Sequence, residues 1–174
     1  MPSTDEPEQS PPWWKRWFVQ PVINQLTQGI TPDKLGWTIA AGIVLGIFPI
    51  MGSTTFLCLI AAWLLKLNQP IIQVACHAVY ALHLALILVF IRAGQWIFQS
   101  DPITLSIPQL ISQFTADPWK FIKDFILAAG QGIIAWALVA PILFFLIKAL
   151  ITPFLTRLAT RVKKQPAEPL TPGD

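Results

Sequence analysis

The stretch GIFPIMGSTTFLCL, residues 46–59, decides how this chain folds, because it interrupts a long apolar run at its middle. The run covers residues 35–65 and contains no Lys, Arg, Asp or Glu. The interruption consists of a proline, a glycine and three hydroxyl residues: Pro49, Gly52, Ser53, Thr54 and Thr55. Proline removes a helical N–H donor, and glycine and hydroxyl residues favour turns. We therefore predict a hairpin of two short apolar helices joined by a polar tip.

The composition indicates the solvent in which this hairpin lies. Charged residues make up 12% of the 174 residues and apolar residues 54%, whereas a globular domain has about 25% charged residues. The mean hydropathy is +0.58. We expect an all-α integral membrane protein with one membrane domain over residues 31–157.

Polar segments flank this domain. Residues 1–12 are acidic and proline-rich, which predicts a disordered tail and not a cleavable signal peptide. Residues 13–30 begin with three tryptophans around Lys15 and Arg16, which is typical of a helix at the headgroup level. Residues 158–174 are basic and then proline-rich, and we expect them to be a cytoplasmic tail.

The hairpin arms are short for a membrane span. Thr31-Pro32-Asp33 predicts a helix start, but the first arm, residues 36–48, covers only about 20 Å of the roughly 30 Å hydrocarbon core. The pair therefore forms one broken span, two short spans, or a re-entrant hairpin with its tip at residues 49–54.

The distribution of Lys and Arg favours a hairpin that returns to its starting side. In that arrangement nine of the 12 basic residues are cytoplasmic, whereas a single broken span divides them six against six. By the positive-inside rule, both termini are then cytoplasmic.

Two more segments complete the predicted membrane part. Residues 71–91 are uncharged and long enough to span, and Asp117-Pro118 opens a second helix, which is uncharged over residues 125–147. The polar segment between them is expected at the outer surface.

The tip and a nearby small-residue face are the first candidate sites. Backbone at membrane depth must be buried in protein or line a wet cavity, so the tip residues are candidate binding residues, and Gly52 is expected to allow both the bend and close packing. Gly42 and Gly46 form a face on which another helix can pack. The tip is therefore either a kink within a packed helix pair or a broken segment on a substrate path.

A polar arc on the third segment is the second candidate site. At about 100° per residue, its polar side chains fall within an arc of about 120°. They are Gln73, Cys76, His77, Tyr80 and His83. We expect this arc to face the hairpin or to line a cavity. We predict no metal site, because the two histidines point about 120° apart and no carboxylate is near.

The sequence contains no phosphate-binding glycine loop, no nucleophile elbow and no zinc-protease motif. We therefore expect no enzyme and no cofactor, although a membrane enzyme with His77 or His83 as base is left open. The basic C-terminal residues suit anionic lipid headgroups and not nucleic acid.

Three stretches carry a family resemblance: TPDKLGWTIAAGIVLGIFPIMGSTTFLCLIAAWLLKLNQP, IRAGQWIF and WALVAPI. They resemble a bacterial membrane family known as domain of unknown function 2062, over about residues 31–157. The resemblance implies a bacterial cytoplasmic (inner) membrane protein and no established activity.

Two hypotheses of function follow. In the first, the tip and the arc form a transport or binding path for a small or lipid-linked solute. In the second, the protein is a packing or assembly module for other membrane proteins. The expected partners are the lipid bilayer and a second copy or another membrane protein.

Overall fold

The computed structural model describes residues 20–101 and 106–164, and these residues form helices and no strand. The helices are α1 (Gln20–Thr27), α2 (Pro32–Gly46), α3 (Thr54–Leu64), α4 (Gln69–Ala78), α5 (Tyr80–Ile97), α6 (Ile107–Ala116) and α7 (Pro118–Lys164). The all-helical prediction is confirmed for this part of the chain. The predictions for residues 1–12, for 13–19 and for 165–174 lie outside the described residues.

The hairpin of α2 and α3 forms where the sequence predicts it. The Thr31 hydroxyl accepts a hydrogen bond of 3.4 Å from the Lys34 N–H and so caps α2. Gly52 has a φ of +84°, and a Cβ placed on it would meet no atom within 4 Å. The backbone conformation of the bend therefore favours a glycine at this position. Close packing is not the reason, because a side chain at Gly52 would have room.

The third apolar segment differs from the prediction, because it is divided at Val79 into α4 and α5. The Asn68 side chain caps α4 by accepting from the Ile71 N–H at 3.1 Å. Helix α4 packs against α2 and α3, whereas α5 packs against α7. The sequence gives no sign of this division, since residues 71–91 contain neither proline nor glycine.

Helix α7 spans 47 residues and contacts α2 and α5. Asp117 Oδ1 accepts from the Lys120 N–H at 2.9 Å, as expected of an N-cap. The helix includes Pro141 and Pro153 and continues past residue 157 to Lys164. Two stretches of the described chain, Tyr80–Ile97 and Pro118–Arg161, are long and apolar enough to cross a membrane.

The starts of α2 and α4 lie at the same end of the molecule as the C-terminal part of α7. Leu35, Ile71 and Leu155 form one buried cluster there. Lys148 Nζ lies 3.0 Å from the Asp33 carboxylate, in an ion pair between α7 and α2. The hairpin therefore returns to the end of the molecule from which it starts.

Candidate functional site

The tip residues predicted as a binding site have separate environments. Ser53 Oγ donates to the Ile50 carbonyl at 2.9 Å, which satisfies part of the turn. Thr54 is buried, and the Thr55 carbonyl accepts from Gln73 Nε2 at 3.3 Å. Pro49 lines an apolar cavity.

The polar arc on the third segment is divided by the helix break at Val79. Gln73 bonds to the hairpin, and Cys76 lies with Cys58 of α3 in a buried cluster. His77 is exposed on α4, where its Nδ1 lies 2.7 Å from the Gln73 carbonyl oxygen.

Tyr80 and His83, the other two residues of the arc, stack on α5 with ring centroids 5.9 Å apart. Tyr80 is half-exposed, and neither ring nitrogen of the buried His83 has a hydrogen-bond partner among the described residues. The structure therefore does not bring the five polar residues to one site. Within residues 20–101 and 106–164, no three potential metal ligands cluster.

Gly42 and Gly46 lie against α4. A Cβ on Gly42 would come within 2.6 Å of the Ile72 carbonyl oxygen, and one on Gly46 within 2.9 Å of the Cys76 carbonyl oxygen. Any larger residue would separate the two backbones. This small face is thus covered by the chain's own α4.

An apolar cavity of about 660 Å³ opens between the hairpin tip, α5 and α7. Its lining includes Pro49, Ile50 and Met51 from the tip, Ile87, Leu88, Ile91 and Arg92 from α5, and Phe125, Ile126, Ala129, Gly130 and Ile133 from α7. A volume in this range is typical of small-molecule sites. The cavity can accept an apolar chain.

A polar cavity of about 440 Å³ lies beside it, between the end of α5, α6 and the start of α7. Its polar lining residues are Gln95, Ser100, Asp101, Gln113, Lys120, Asp124 and Gln131. None of these side chains belongs to the tip or to the predicted arc. The cavity can hydrogen-bond a polar group.

Close contact between α5 and α7 buries two glutamines at this site. Gly94 lies directly against the Gln131 backbone, so a side chain there would force the helices apart. Gln131 Nε2 donates to Ser100 Oγ at 2.7 Å. The Gln95 side chain is 4% exposed, and its carbonyl oxygen has no hydrogen-bond partner among the described residues. Such a buried acceptor is costly, and a ligand donor would satisfy it.

The two cavities are adjacent, because Gln95, Phe125 and Ala128 line both. Arg92 lies one helical turn before Gln95, on the lining of the apolar part. We call this arrangement the two-part cleft. It consists of an apolar chamber and a hydrogen-bonding chamber that share these wall residues.

Sequence reasoning missed the polar half of this cleft, although a signal is present. The triplet Ala-Gly-Gln occurs at residues 93–95 and again at 129–131, each time within an apolar helix. The glycine of the first triplet, Gly94, allows close helix contact, and the glutamines of the two triplets place amides near that contact.

The chain matches one family model over residues 15–164, described as an uncharacterised protein conserved in bacteria, DUF2062. Comparison with curated proteins and with solved structures gives no significant match. The family description names no ligand or reaction.

Proposed function

We propose, from the premise that this chain belongs to the bacterial DUF2062 family, that it is an integral membrane protein that binds a lipid or a lipid-linked solute in the two-part cleft. The observation that carries the proposal is the shared wall between the apolar and polar cavities. In this proposal the adjacent chambers open into each other, and an amphiphile is the class of ligand that fills both at once.

The lengths of the helices support insertion in a bilayer. Helix α5 has 18 residues, which is about 27 Å, and the uncharged stretch 125–147 of α7 is about 34 Å, against a hydrocarbon core of about 30 Å. Large apolar side chains such as Phe56, Trp63 and Val89 are exposed on α3 and α5. In a bilayer these side chains contact lipid instead of water.

The contacts along α7 support a hairpin that returns to its starting side. Trp136 Nε1 donates to the Val44 carbonyl at 3.2 Å, and its ring lies 4.9 Å from that of Phe48. Trp136 is about 12 residues, or about 18 Å, from Lys148 along α7. Since Lys148 pairs with Asp33 at the start of α2, the end of α2 lies near the middle of the uncharged stretch, and the tip residues lie beyond it, beside residues 125–133 of α7.

The tip contributes to the apolar chamber only. Pro49, Ile50 and Met51 line it together with Arg92 of α5, so the tip forms one wall of the chamber between α5 and α7. In the proposed complex an acyl or isoprenoid chain occupies this chamber, and the polar head lies beside Gln95 and Gln131.

The test is to fill the apolar chamber from a position that has room. Gly130 lines the chamber, and a Cβ on it meets no atom within 4 Å, so Gly130→Phe places a ring in the chamber without a backbone clash. The matched control is Ile134→Phe, one turn along α7, where the side chain is 45% exposed.

The measurement is native mass spectrometry of each purified protein after incubation with a total bacterial lipid extract. We expect the wild-type protein and Ile134→Phe to retain bound lipid, and Gly130→Phe to lose at least nine-tenths of it. Equal retention by the two variants would overturn the proposal. Equal retention of lipid, together with a fixed protein partner, would favour the assembly hypothesis. The partner would then bind a surface other than Gly42 and Gly46, because α4 covers these two residues.

A further inference from the structure

We infer that the polar chamber of the two-part cleft binds an uncharged, hydroxyl-rich head group of the sugar class. This inference rests on the proposed function, because the head group is taken to belong to the amphiphile whose chain fills the apolar chamber. Neither the family description nor the chain's apolar composition indicates which head group the protein binds.

The lining of the polar chamber mixes hydrogen-bond donors and acceptors. Gln95, Gln113 and Gln131 each carry an amide with both functions, and Ser100 carries a hydroxyl. Carboxylates from Asp101 and Asp124 accept, and the Lys120 ammonium donates. A ligand that donates and accepts at neighbouring atoms matches this lining, and a sugar hydroxyl does both.

Charged head groups match it less well. A phosphate only accepts, and it would lie beside the carboxylates of Asp101 and Asp124, with Lys120 as the one cation of the described polar lining and Arg92 on the lining of the apolar chamber. A primary ammonium is attracted by the two carboxylates but only donates, so it leaves the Lys120 ammonium and the amide N–H groups without an acceptor. Each charged group thus supplies one hydrogen-bonding function, whereas a hydroxyl supplies both.

The side-chain oxygen of Gln95, Oε1, is the acceptor in this chamber that lacks a partner. It is buried and has no hydrogen-bond partner among the described residues, whereas the backbone carbonyl of Gln95 accepts from the Ser100 N–H. A ligand donor that reaches Oε1 gains a hydrogen bond at a group that has already lost its water. The rings of Phe121 and Phe125, with centroids 6.2 Å apart, add an apolar wall. Aromatic walls with a few placed polar groups are typical of specific ligand sites.

The test compares head groups on a constant chain. Four dioctanoyl lipids are titrated calorimetrically into the full-length protein in amine-oxide micelles, which contain no sugar: dioctanoylglycerol, its glucosyl derivative, dioctanoyl phosphatidylethanolamine and dioctanoyl phosphatidic acid. We expect the glucosyl lipid to bind at least tenfold more tightly than each of the other three.

The variant Gln95→Met keeps the side-chain size and removes the amide. We expect it to reduce the preference for the glucosyl lipid to less than threefold and to leave the affinity for dioctanoylglycerol unchanged. Its thermal midpoint should not fall, because the lost carbonyl has no protein partner among the described residues. The control is Gln109→Met, which changes an exposed glutamine on α6 outside the cleft.

The outcomes separate this inference from the proposed function. Equal binding of all four lipids, or tighter binding of the ethanolamine or phosphatidic acid lipid, would overturn the sugar class while the amphiphile proposal stands. An undiminished sugar preference in Gln95→Met would also overturn it. Binding of none of the lipids, with no effect of Gly130→Phe on lipid retention, would remove both.

Discussion

Single glycines decide how closely the helices of this protein approach one another. Gly94 lies against the backbone of Gln131, whereas Gly130, on the same helix as Gln131, has open space at its Cβ position. The same residue type therefore has opposite roles at the two copies of the Ala-Gly-Gln triplet. One glycine brings α5 onto α7, and the other leaves room in the cleft.

This difference predicts opposite effects of one methyl group. Gly94→Ala should lower the free energy of unfolding by about 1–3 kcal/mol, because the Cβ forces α5 away from α7. Gly130→Ala should leave it unchanged or raise it by up to about 1 kcal/mol, since alanine favours the helix. Thermal unfolding in detergent measures both. A larger loss for Gly130→Ala would show that the α5–α7 contact is assigned to the wrong glycine.

Gly52 acts through its backbone conformation alone. With φ at +84° and no neighbour at the Cβ position, Gly52→Ala should cost about 1–2 kcal/mol, which is the penalty for a left-handed residue with a side chain. Gly52→Asn should cost less, because asparagine tolerates this region. Equal stability of all three proteins in thermal unfolding would mean that the tip does not hold this turn.

At the scale of elements, helix starts could be predicted from the sequence and the internal helix break could not. Thr31 and Asp117 precede prolines and cap their helices as the pattern indicates. Val79 carries no comparable signal in the sequence. The division of α4 from α5 at this residue coincides with the packing of α4 against Gly42 and Gly46 of α2. Contacts between segments distant in sequence are not visible in the local pattern.

The start of α4 offers a test of capping at this level. The Asn68 side chain accepts from the Ile71 N–H and donates to Gln25 Oε1 at 2.7 Å. Asn68→Ala should therefore cost about 0.5–2 kcal/mol. The control is Ser106→Ala at the start of α6, where the side chain makes no capping bond. The two thermal midpoints should differ, and equal midpoints would contradict the capping role.

The candidate site shows the same division between local and distant information. The tip was predicted, and Pro49 lines the cleft. The predicted arc is split by the break at Val79, and Gln95 and Gln131 were missed because their proximity depends on the α5–α7 contact. A polar residue in an apolar helix can be recognised from sequence, but its partner on another helix cannot.

At the scale of the whole molecule, the hairpin returns to the end from which it starts, where Asp33 pairs with Lys148. In the proposed bilayer arrangement, the α3–α4 turn and α6 lie on opposite sides. Gln69 and Gln109 are exposed positions that report on the two sides, and both native cysteines are buried.

Labelling of intact cells with a membrane-impermeant thiol reagent tests this arrangement. Gln109→Cys should react from outside, and Gln69→Cys should react only after the membrane is opened, as the nine-to-three distribution of basic residues also predicts. Reaction of Gln69→Cys in intact cells would show that the hairpin crosses the membrane once.

The central claim is that the two-part cleft holds the chain of an amphiphile, and photocrosslinking tests it most directly. The purified protein is irradiated with a lipid that carries a diazirine on its acyl chain, and the adducts are mapped by mass spectrometry. We expect adducts concentrated at residues 87–91 of α5 and 129–133 of α7, which line the apolar chamber, and their loss in Gly130→Phe. Adducts spread evenly over the exposed apolar faces of α3 and α5, and unchanged in that variant, would contradict it.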